Sequence, residues 1–345
     1  MAETDEWIKC PECSKRVKLK NLGKHLQRVH DMSMSEARSK KEEMLKEKKK
    51  AREGAWGSAS KNKKLGIGAV AVVIIVVIAA LAGKYVFFGD EDENGSTGNG
   101  PPEPDPTRVE FVTEDGFKIV GNYYTAKAGV IDIGINDRPV LILAHGMNEN
   151  REIWNNNYGF VDTALDWGFN VLIYDIRGHG ESVYKNGEKI YYLGIEDTKN
   201  IDEDVHSAVE FVLANYASNG RMAVVGASIS ANAALIAAVF EENIRALALL
   251  SPSLNEEVLP TYQAMWDYGD RPVFIAVGEF EEGNLADDSK WLYDQAIKRN
   301  PNPEDVVLEI YDNATEHGSN LFKIDKFNTD LENYLKKYMI ELPER

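Results

Sequence analysis

The sequence predicts an α/β fold, in which a mostly parallel sheet is flanked by helices, preceded by a small segment containing cysteine and histidine and by one membrane-spanning helix. Three observations predict this arrangement. Apolar stretches alternate with helical ones after residue 108, a long uncharged run covers residues 65–83, and paired cysteines and histidines lie near the N-terminus. Apolar strands separated by helices are typical of a parallel sheet that is buried on both faces.

Composition limits the class of function. Of the 345 residues, 43% are hydrophobic, which is enough for a sizeable core, and the formal net charge of -17 argues against a protein whose main ligand is nucleic acid. This average hides a division, because the first 64 residues are rich in lysine whereas the remainder is acidic. Both cysteines lie near the N-terminus, so a disulfide framework is excluded for the large domain.

The first segment, residues 1–32, has the spacing of a zinc site. Cys10 and Cys13 are followed by His25 and His30 on a predicted helix, and two thiolates with two imidazoles can bind Zn²⁺ tetrahedrally. The segment resembles a single C2H2-type zinc finger, although the loop between the two pairs is one residue shorter than the commonest spacing. The alternative is a redox-active cysteine pair with unrelated histidines. One finger covers about three base pairs, so either nucleic acid or a protein can be its partner.

Residues 65–88 are predicted to form a transmembrane helix. The uncharged run meets the requirement of about 20 apolar residues for crossing the hydrocarbon layer, and it lies too far from Met1 to be a signal peptide. Three lysines lie at residues 61–64 before it, whereas residues 90–93 after it are all acidic. Because Lys and Arg stay on the cytoplasmic side, we expect a single-pass protein of the cell membrane with a cytoplasmic N-terminus and an extracytoplasmic large domain.

Two polar segments flank this predicted helix. Residues 33–64 form a basic helical spacer, part of which can contact anionic lipid headgroups. Residues 89–107 are rich in glycine and then in proline, and such a sequence cannot pack a core. We therefore expect a linker there, followed by one large domain at residues 108–345.

The large domain reads as alternating strands and helices. A hairpin around Asp115-Gly116 begins it, and helices are expected near residues 158–167 and 201–216. Buried strands are predicted at residues 139–144, 170–174, 221–225, 244–251, 271–277 and 306–311. Ligands bind beyond the carboxyl ends of such strands, so the residues that follow each strand are the candidates for a site.

One strand end has the form of a nucleophile elbow. The strand at 221–225 runs directly into Gly226-Ala-Ser228-Ile-Ser230 and then into a helix of small residues. A serine on so tight a strand-to-helix turn has its hydroxyl exposed at the top of the sheet. The usual pattern is G-x-S-x-G, and here Ser230 replaces the last glycine where helix and strand crowd. Serine between small residues also occurs in ordinary turns, so the motif alone leaves both interpretations open.

Four motifs together resemble the α/β-hydrolase superfamily over residues 108–345. They are His145-Gly146-Met147, Asp175-Ile-Arg-Gly-His-Gly180, the serine elbow and the late His317-Gly318, each at a predicted strand end. No long insertion separates the later strands, so within the superfamily the chain is similar to lidless serine esterases and to dienelactone-hydrolase-like or peptidase-like enzymes.

The resemblance implies a nucleophile, an acid and a histidine in that chain order. Of the six histidines, only His317 follows Ser228, which makes it the candidate general base, the alternative being an ordinary surface-loop histidine. The resemblance also implies an oxyanion hole made by the backbone NH groups of Met147 and Ile229.

The acid is less closely defined by the sequence. The family places it a few residues after the strand at 271–277, which corresponds to Glu281. Asp287 and Asp288 are alternatives, although their position before Ser289 also suits helix capping.

These inferences predict a membrane-anchored serine hydrolase that cleaves carboxylic esters or related acyl compounds through an acyl-enzyme. Structural Zn²⁺ is expected in the finger, and no cofactor is expected for the hydrolase domain. One alternative is an inactive binding or scaffold domain of the same fold, tethered to a cytoplasmic finger that contacts nucleic acid or protein. A further alternative is a serine peptidase.

Zinc binding can be tested directly. Mass spectrometry of the full chain under non-denaturing conditions should show one bound zinc, and the ion should be lost in Cys13→Ser because one thiolate of the tetrahedral set is removed. A wild-type chain that carries no zinc would contradict the predicted finger.

The predicted orientation is also testable. Protease added to intact cells should cut the large domain and spare the N-terminal segment, because only the large domain is expected outside the membrane. The opposite cleavage pattern would mean that the topology is inverted.

Overall fold

The computed structural model describes residues 7–9, 11–12, 16–18, 22–23, 26, 32–33, 36–41, 43–44, 46, 106–126, 130–131, 137–216, 221–254 and 258–341. The predicted zinc ligands Cys10, Cys13, His25 and His30 lie outside these residues, as does the predicted transmembrane helix at 65–88. Zinc binding, the membrane span and the domain boundaries therefore stay predictions.

The chain divides into two units, which we describe separately. In the N-terminal unit, strands β1 (Trp7–Lys9) and β2 (Arg16–Lys18) pair antiparallel, with Ile8 opposite Val17. Over the described residues of the whole chain, no helix has both the length and the apolar character needed to cross a bilayer. The same residues contain no group of three or more His, Cys, Asp or Glu side chains that could hold a metal ion.

The larger unit, which contains Glu103–Arg345, is built on one ten-stranded sheet. Its strands are β3 (Thr107–Val112), β4 (Phe117–Tyr124), β5 (Val140–Ala144), β6 (Asn170–Tyr174), β7 (Tyr184–Lys185), β8 (Glu188–Lys189), β9 (Met222–Ala227), β10 (Ile244–Leu250), β11 (Val273–Gly278) and β12 (Val306–Tyr311). The spatial order is β12-β11-β10-β9-β5-β6-β4-β7-β8, and β3 pairs with β4.

The direction in which the sheet grows reverses between β5 and β9. The six strands from β12 to β6 in the spatial order are parallel to their neighbours, whereas β3, β4, β7 and β8 pair antiparallel. After β5 the chain adds β6 on one side, then crosses back and adds β9, β10, β11 and β12 on the other. Such a switch point leaves a crevice beyond the carboxyl ends of the two central strands, so the residues after β5 and β9 are placed to bind a ligand.

Helices cover both faces of this sheet. The α-helices are α1 (Phe160–Asp166), α2 (Ile195–Thr198), α3 (Asp202–Asn215), α4 (Ile229–Phe240), α5 (Tyr262–Tyr268), α6 (Leu285–Arg299) and α7 (Asp325–Lys336). Short π-helices occupy Ile153–Asn157 and Lys337–Glu341, and short 3-10 helices occupy Pro303–Asp305 and Gly318–Lys323. One core, beneath α3, α4, α5 and α6, lies on one face, and a second, beneath α1 and α7, lies on the other.

Strand β5 shows why the central strands have no polar face. Val140 and Ile142 enter the first core, whereas Leu141 and Leu143 enter the second, and all four are fully buried. Alternate side chains of a strand point to opposite faces, so a strand covered on both sides must be apolar at every position. The continuous apolar runs in the sequence are confirmed as central strands.

A buried arginine joins three separate elements at one end of the sheet. Arg177, just after β6, donates from Nε to Asp204 of α3 at 2.8 Å and from Nη1 to Asp115 of the β3–β4 turn at 2.7 Å. Its guanidinium also lies 4.6 Å from the centre of the Phe117 ring. Full burial makes these partners necessary, because an unpaired buried charge is strongly destabilising.

Most of the predicted elements are confirmed within one or two residues. The hairpin around Asp115-Gly116 forms as β3 and β4, and the strand at 170–174 has the predicted bounds. The β7–β8 hairpin was not predicted. Its turn residues Asn186 and Gly187 both have positive φ, which is the turn chemistry that the Asn-Gly pair favours.

Candidate functional site

Strand β9 and helix α4 meet at Ser228 in a strained turn. The φ of Ser228 is 54° and its ψ is -122°, a conformation that costs a non-glycine residue about 1–3 kcal/mol. At Gly226, a Cβ atom would lie 2.3 Å from the carbonyl oxygen of Ser230, so a side chain there cannot be accommodated. Glycine at 226 therefore lets the strand approach the helix closely enough to hold Ser228 in the turn.

Ser230 fits where the usual elbow has glycine. Its side chain is fully buried, and Oγ donates a hydrogen bond to the backbone oxygen of His145 at 2.6 Å. The hydroxyl is thus satisfied, and it connects the start of α4 with the loop that follows β5. The extra side chain at this position fixes the two neighbouring strand ends relative to each other.

The three residues predicted as a triad meet in one site. The hydroxyl of Ser228 lies 2.8 Å from Nε2 of His317, and Nδ1 of the same ring lies 2.7 Å from Oε2 of Glu281. With the proton on Nδ1, the ring donates to the carboxylate and accepts from the serine hydroxyl. The imidazole is 47% exposed, whereas the Glu281 side chain has no exposed surface, so a ligand can reach the ring while the carboxylate stays shielded.

The second oxygen of Glu281 is held from two directions. Oε1 accepts hydrogen bonds from the backbone NH of Gly278 at 2.6 Å and from the hydroxyl of Ser251 at 2.8 Å. The Ser251 hydroxyl in turn accepts from the backbone NH of Gly318, also at 2.8 Å. Ser251 therefore ties the acid to the loop that carries His317, and its own φ of 55° places the hydroxyl between them.

The backbone NH groups of Met147 and Ile229 lie at the ends of β5 and β9. No described residue accepts a hydrogen bond from either group. Ile229 is the first residue of α4, where an NH has no partner within the helix. Both predicted oxyanion donors are therefore available to a ligand.

His145 orders the loop that contains Met147. Its Nδ1 donates to the backbone oxygen of Gly146 at 2.8 Å, and its Nε2 accepts from the backbone NH of Ile176 at 3.1 Å. Burial, and to a smaller extent the nearby His179, lowers the pKa of His145 to about 4. The ring is therefore neutral near pH 7, as its accepting role at Nε2 requires.

The other sequence candidates lie elsewhere. Asp288 accepts from the backbone NH of Leu254 at 2.9 Å, and Asp287 is exposed beside Lys290, so neither contacts His317. The prediction that Asp287 and Asp288 cap a helix was wrong, because the helix begins before them. Both occupy the first turn of α6, where negative charge favours the helix dipole, and the N-cap residue is Asn284.

Sequence reasoning missed one acidic residue at this site. Glu149 accepts the backbone NH of Gly146 at 2.8 Å through Oε2, and its Oε1 accepts the hydroxyl of Ser319. A Cβ on Gly146 would lie 3.2 Å from Oε2 of Glu149 and 3.4 Å from Cβ of Ser228. The carboxylate oxygen and the Cβ of the predicted nucleophile are therefore both close to the same point at Gly146.

Ser251→Ala should lower the free energy of unfolding by about 1–3 kcal/mol, because it leaves the buried NH of Gly318 without an acceptor. Urea unfolding of the full chain measures this. Thr163→Ala is the control, since Thr163 is exposed and its hydroxyl donates to the backbone oxygen of Gly159, so no buried donor loses its acceptor, and it should cost less than about 1 kcal/mol. Equal effects of the two substitutions would contradict the bridging role of Ser251.

Comparison with known proteins agrees with this architecture. A family model for the alpha/beta hydrolase fold matches residues 139–310. An esterase of Pyrococcus furiosus superposes with a TM-score of 0.55 and 20% identity, covering 71% of this chain and 96% of its own. A 2,6-dihydroxy-pseudo-oxynicotine hydrolase gives a TM-score of 0.53 and 16% identity over 71% of each chain. An α/β hydrolase of Penicillium sp. sh18 superposes with a TM-score of 0.51 and 17% identity, covering 68% of this chain and 99% of its own.

No curated protein sequence matches the chain significantly. The family model and these solved structures nevertheless agree on one fold for the large domain. The chain therefore has the α/β-hydrolase fold.

Proposed function

We propose that the chain is a serine hydrolase that cleaves carboxylic esters or related acyl compounds. The observation that carries this proposal is the continuous chain of hydrogen bonds from Ser228 through His317 to Glu281, with distances of 2.8 and 2.7 Å. Those distances lie within the range needed for a general base to take the proton of a nucleophile.

In the first step, Oγ of Ser228 attacks the carbonyl carbon while its proton passes to Nε2 of His317. The ring becomes an imidazolium, which the buried carboxylate of Glu281 stabilises through Nδ1. The backbone NH groups of Met147 and Ile229 stabilise, by hydrogen bonds, the negative charge that develops on the carbonyl oxygen. Losing one such donor typically costs about 3 kcal/mol of barrier stabilisation.

In the second step, the tetrahedral intermediate collapses and the leaving alcohol takes the proton from His317, which leaves an acyl group on Ser228. Water then attacks the acyl carbon, with His317 as base again, and the carboxylic acid is released. The exposure of the imidazole gives water and the alcohol a path to the ring.

The geometry argues against an inactive domain of the same fold. A purely structural role does not require a serine in a strained, positive-φ turn to face an imidazole that is itself aligned by a buried carboxylate. Backbone strain of this kind persists where the surrounding structure maintains it, and it clusters at active sites.

The membrane anchor and the zinc site complete the proposal. We infer that residues 65–88 anchor the hydrolase domain on the extracytoplasmic side of the membrane. This orientation rests on the charge asymmetry of the flanking segments, which are basic before the apolar run and acidic after it. The Cys and His spacing of residues 1–32 supports one structural Zn²⁺ in a cytoplasmic finger with a nucleic-acid or protein partner.

A fluorophosphonate probe tests the nucleophile. The full chain should be labelled at Ser228, and the label should disappear in Ser228→Ala. In His317→Ala, and in Glu281→Gln, the rate of labelling should fall by about a thousandfold or more, because the base or its orienting acid is lost.

Heat-denatured protein serves as the control for non-specific labelling, and an unchanged unfolding transition shows that each variant is folded. If folded wild-type protein takes up no label, or if Ser228→Ala is labelled as fast as wild type, the proposed hydrolase activity is wrong.

A further inference from the structure

We propose that Glu149 selects acyl substrates that carry a positive charge next to the scissile carbonyl, as an α-amino acyl group does. The inference rests on the proposed function, because it names a substrate class for the same site. It would assign the chain to esters or amides of amino acids rather than to neutral fatty acyl esters.

The first argument is position. Glu149 lies in the loop after β5, two residues beyond Met147, and its Oε2 accepts from the NH of the adjacent Gly146 at 2.8 Å. The point at which a Gly146 side chain would begin lies within 3.4 Å of both this oxygen and Cβ of Ser228. The carboxylate and the nucleophile are thus both neighbours of one point at Gly146, and the proposal places the acyl group of a substrate on Ser228 at that point, beside the carboxylate.

The second argument is that the carboxylate is held in place from both ends. While Oε2 is fixed by Gly146, Oε1 accepts the hydroxyl of Ser319, two residues after His317. Tyr158 is close as well. Burial, and then the negative charge of Glu149, raises the pKa of the Tyr158 phenol, and its hydroxyl donates to Asn320 at 3.0 Å. A fixed carboxylate loses little conformational entropy when it binds a cation.

The third argument is charge. No cationic side chain among the described residues pairs with Glu149. The nearest arginine in sequence, Arg151, is engaged by Asp175 and Glu181. A carboxylate beside the place where an oxyanion develops raises the energy of that anion unless a cation is also present. A substrate ammonium would supply the missing charge and remove this penalty.

The distance restricts which cations qualify. Because the carboxylate adjoins both the nucleophile and the loop of Met147, the ammonium must lie within a few bonds of the carbonyl carbon. An amine on the carbon next to the carbonyl meets this condition, whereas an amine at the end of a long acyl chain does not.

Two esters of nearly equal shape test the proposal. The ethyl esters of alanine and of isobutyric acid differ in an ammonium against a methyl group, and at pH 7 an α-amino group with a pKa of about 8 is mostly protonated. For each protein we take the ratio of kcat/KM for the alanine ester to kcat/KM for the isobutyrate ester. Comparing this ratio between variants cancels the difference in intrinsic reactivity of the two esters.

In Glu149→Gln the amide can keep the contacts to Gly146 and Ser319 while the charge is removed. The ratio should fall at least about tenfold relative to wild type, because kcat/KM for the alanine ester falls much further than kcat/KM for the isobutyrate ester. Glu152→Gln is the matched control, because it removes one charge from the same loop, and its ratio should stay within about twofold of wild type.

A measurement on wild-type protein accompanies the variants. Alaninamide should protect Ser228 from the fluorophosphonate at an at least tenfold lower concentration than isobutyramide does. Glu149→Gln should abolish that difference.

The outcomes separate this inference from the proposed function. If both esters are hydrolysed and Glu149→Gln leaves their ratio unchanged, or lowers both activities equally, the inference is wrong while the hydrolase stands. Equal protection by the two amides in wild type would also overturn it. If wild-type Ser228 is not labelled and neither ester is hydrolysed, the hydrolase fails and the inference fails with it.

Discussion

The site depends on the strained backbone at Ser228, and that strain depends on burial. Strand β9 lies in the middle of the sheet, with β5 on one side and β10 on the other, and every residue of β9 is buried. The backbone NH of Ser228 donates to the carbonyl oxygen of Leu250 at 2.8 Å, which continues the ladder one residue beyond the strand. Packing of the two cores therefore offsets the conformational cost of the turn, and the hydroxyl stays directed towards the imidazole.

Hydrogen bonds between neighbouring strand ends then convert one strained residue into a complete site. Ser230 links the start of α4 to the loop after β5, and Ser251 links the end of β10 to both the acid turn and the histidine loop. Neither hydroxyl is a proposed reactant. Both act by fixing groups on different strands at a constant separation, which is the precision that proton transfer between side chains requires.

The sequence was sufficient for the fold and for the three residues that meet. Central parallel strands have unbroken apolar sequences, and their carboxyl ends meet at one edge, so residues as distant as Ser228 and His317 could be assigned to one place. Glu281 could be proposed as the partner of His317 because it comes just after β11, where the family places the acid. The roles of Ser251 and Glu149 could not be predicted in this way, because they depend on which strand ends become neighbours and on where short loops direct their side chains.

Short strands and the exact start of a helix were predicted less well from the sequence. Two-residue strands are too short to show any periodicity, so β7 and β8 were missed, although the Asn186-Gly187 turn was a usable signal. Aspartates near a helix start were interpreted as caps, whereas the chain enters α6 three residues earlier, at Asn284. Boundaries of this kind depend on backbone dihedral angles that composition does not report.

Arg177 has a consequence for how the domain comes apart. It pairs with the turn between the first two strands of the sheet and with a helix that lies much later in the chain. If the β3–β4 hairpin detached while the rest stayed folded, the guanidinium would lose Asp115 and remain beside Asp204 in a partly opened interior. Partial opening at that edge is thus penalised, and this ion pair couples the stability of the antiparallel border of the sheet to that of its parallel centre.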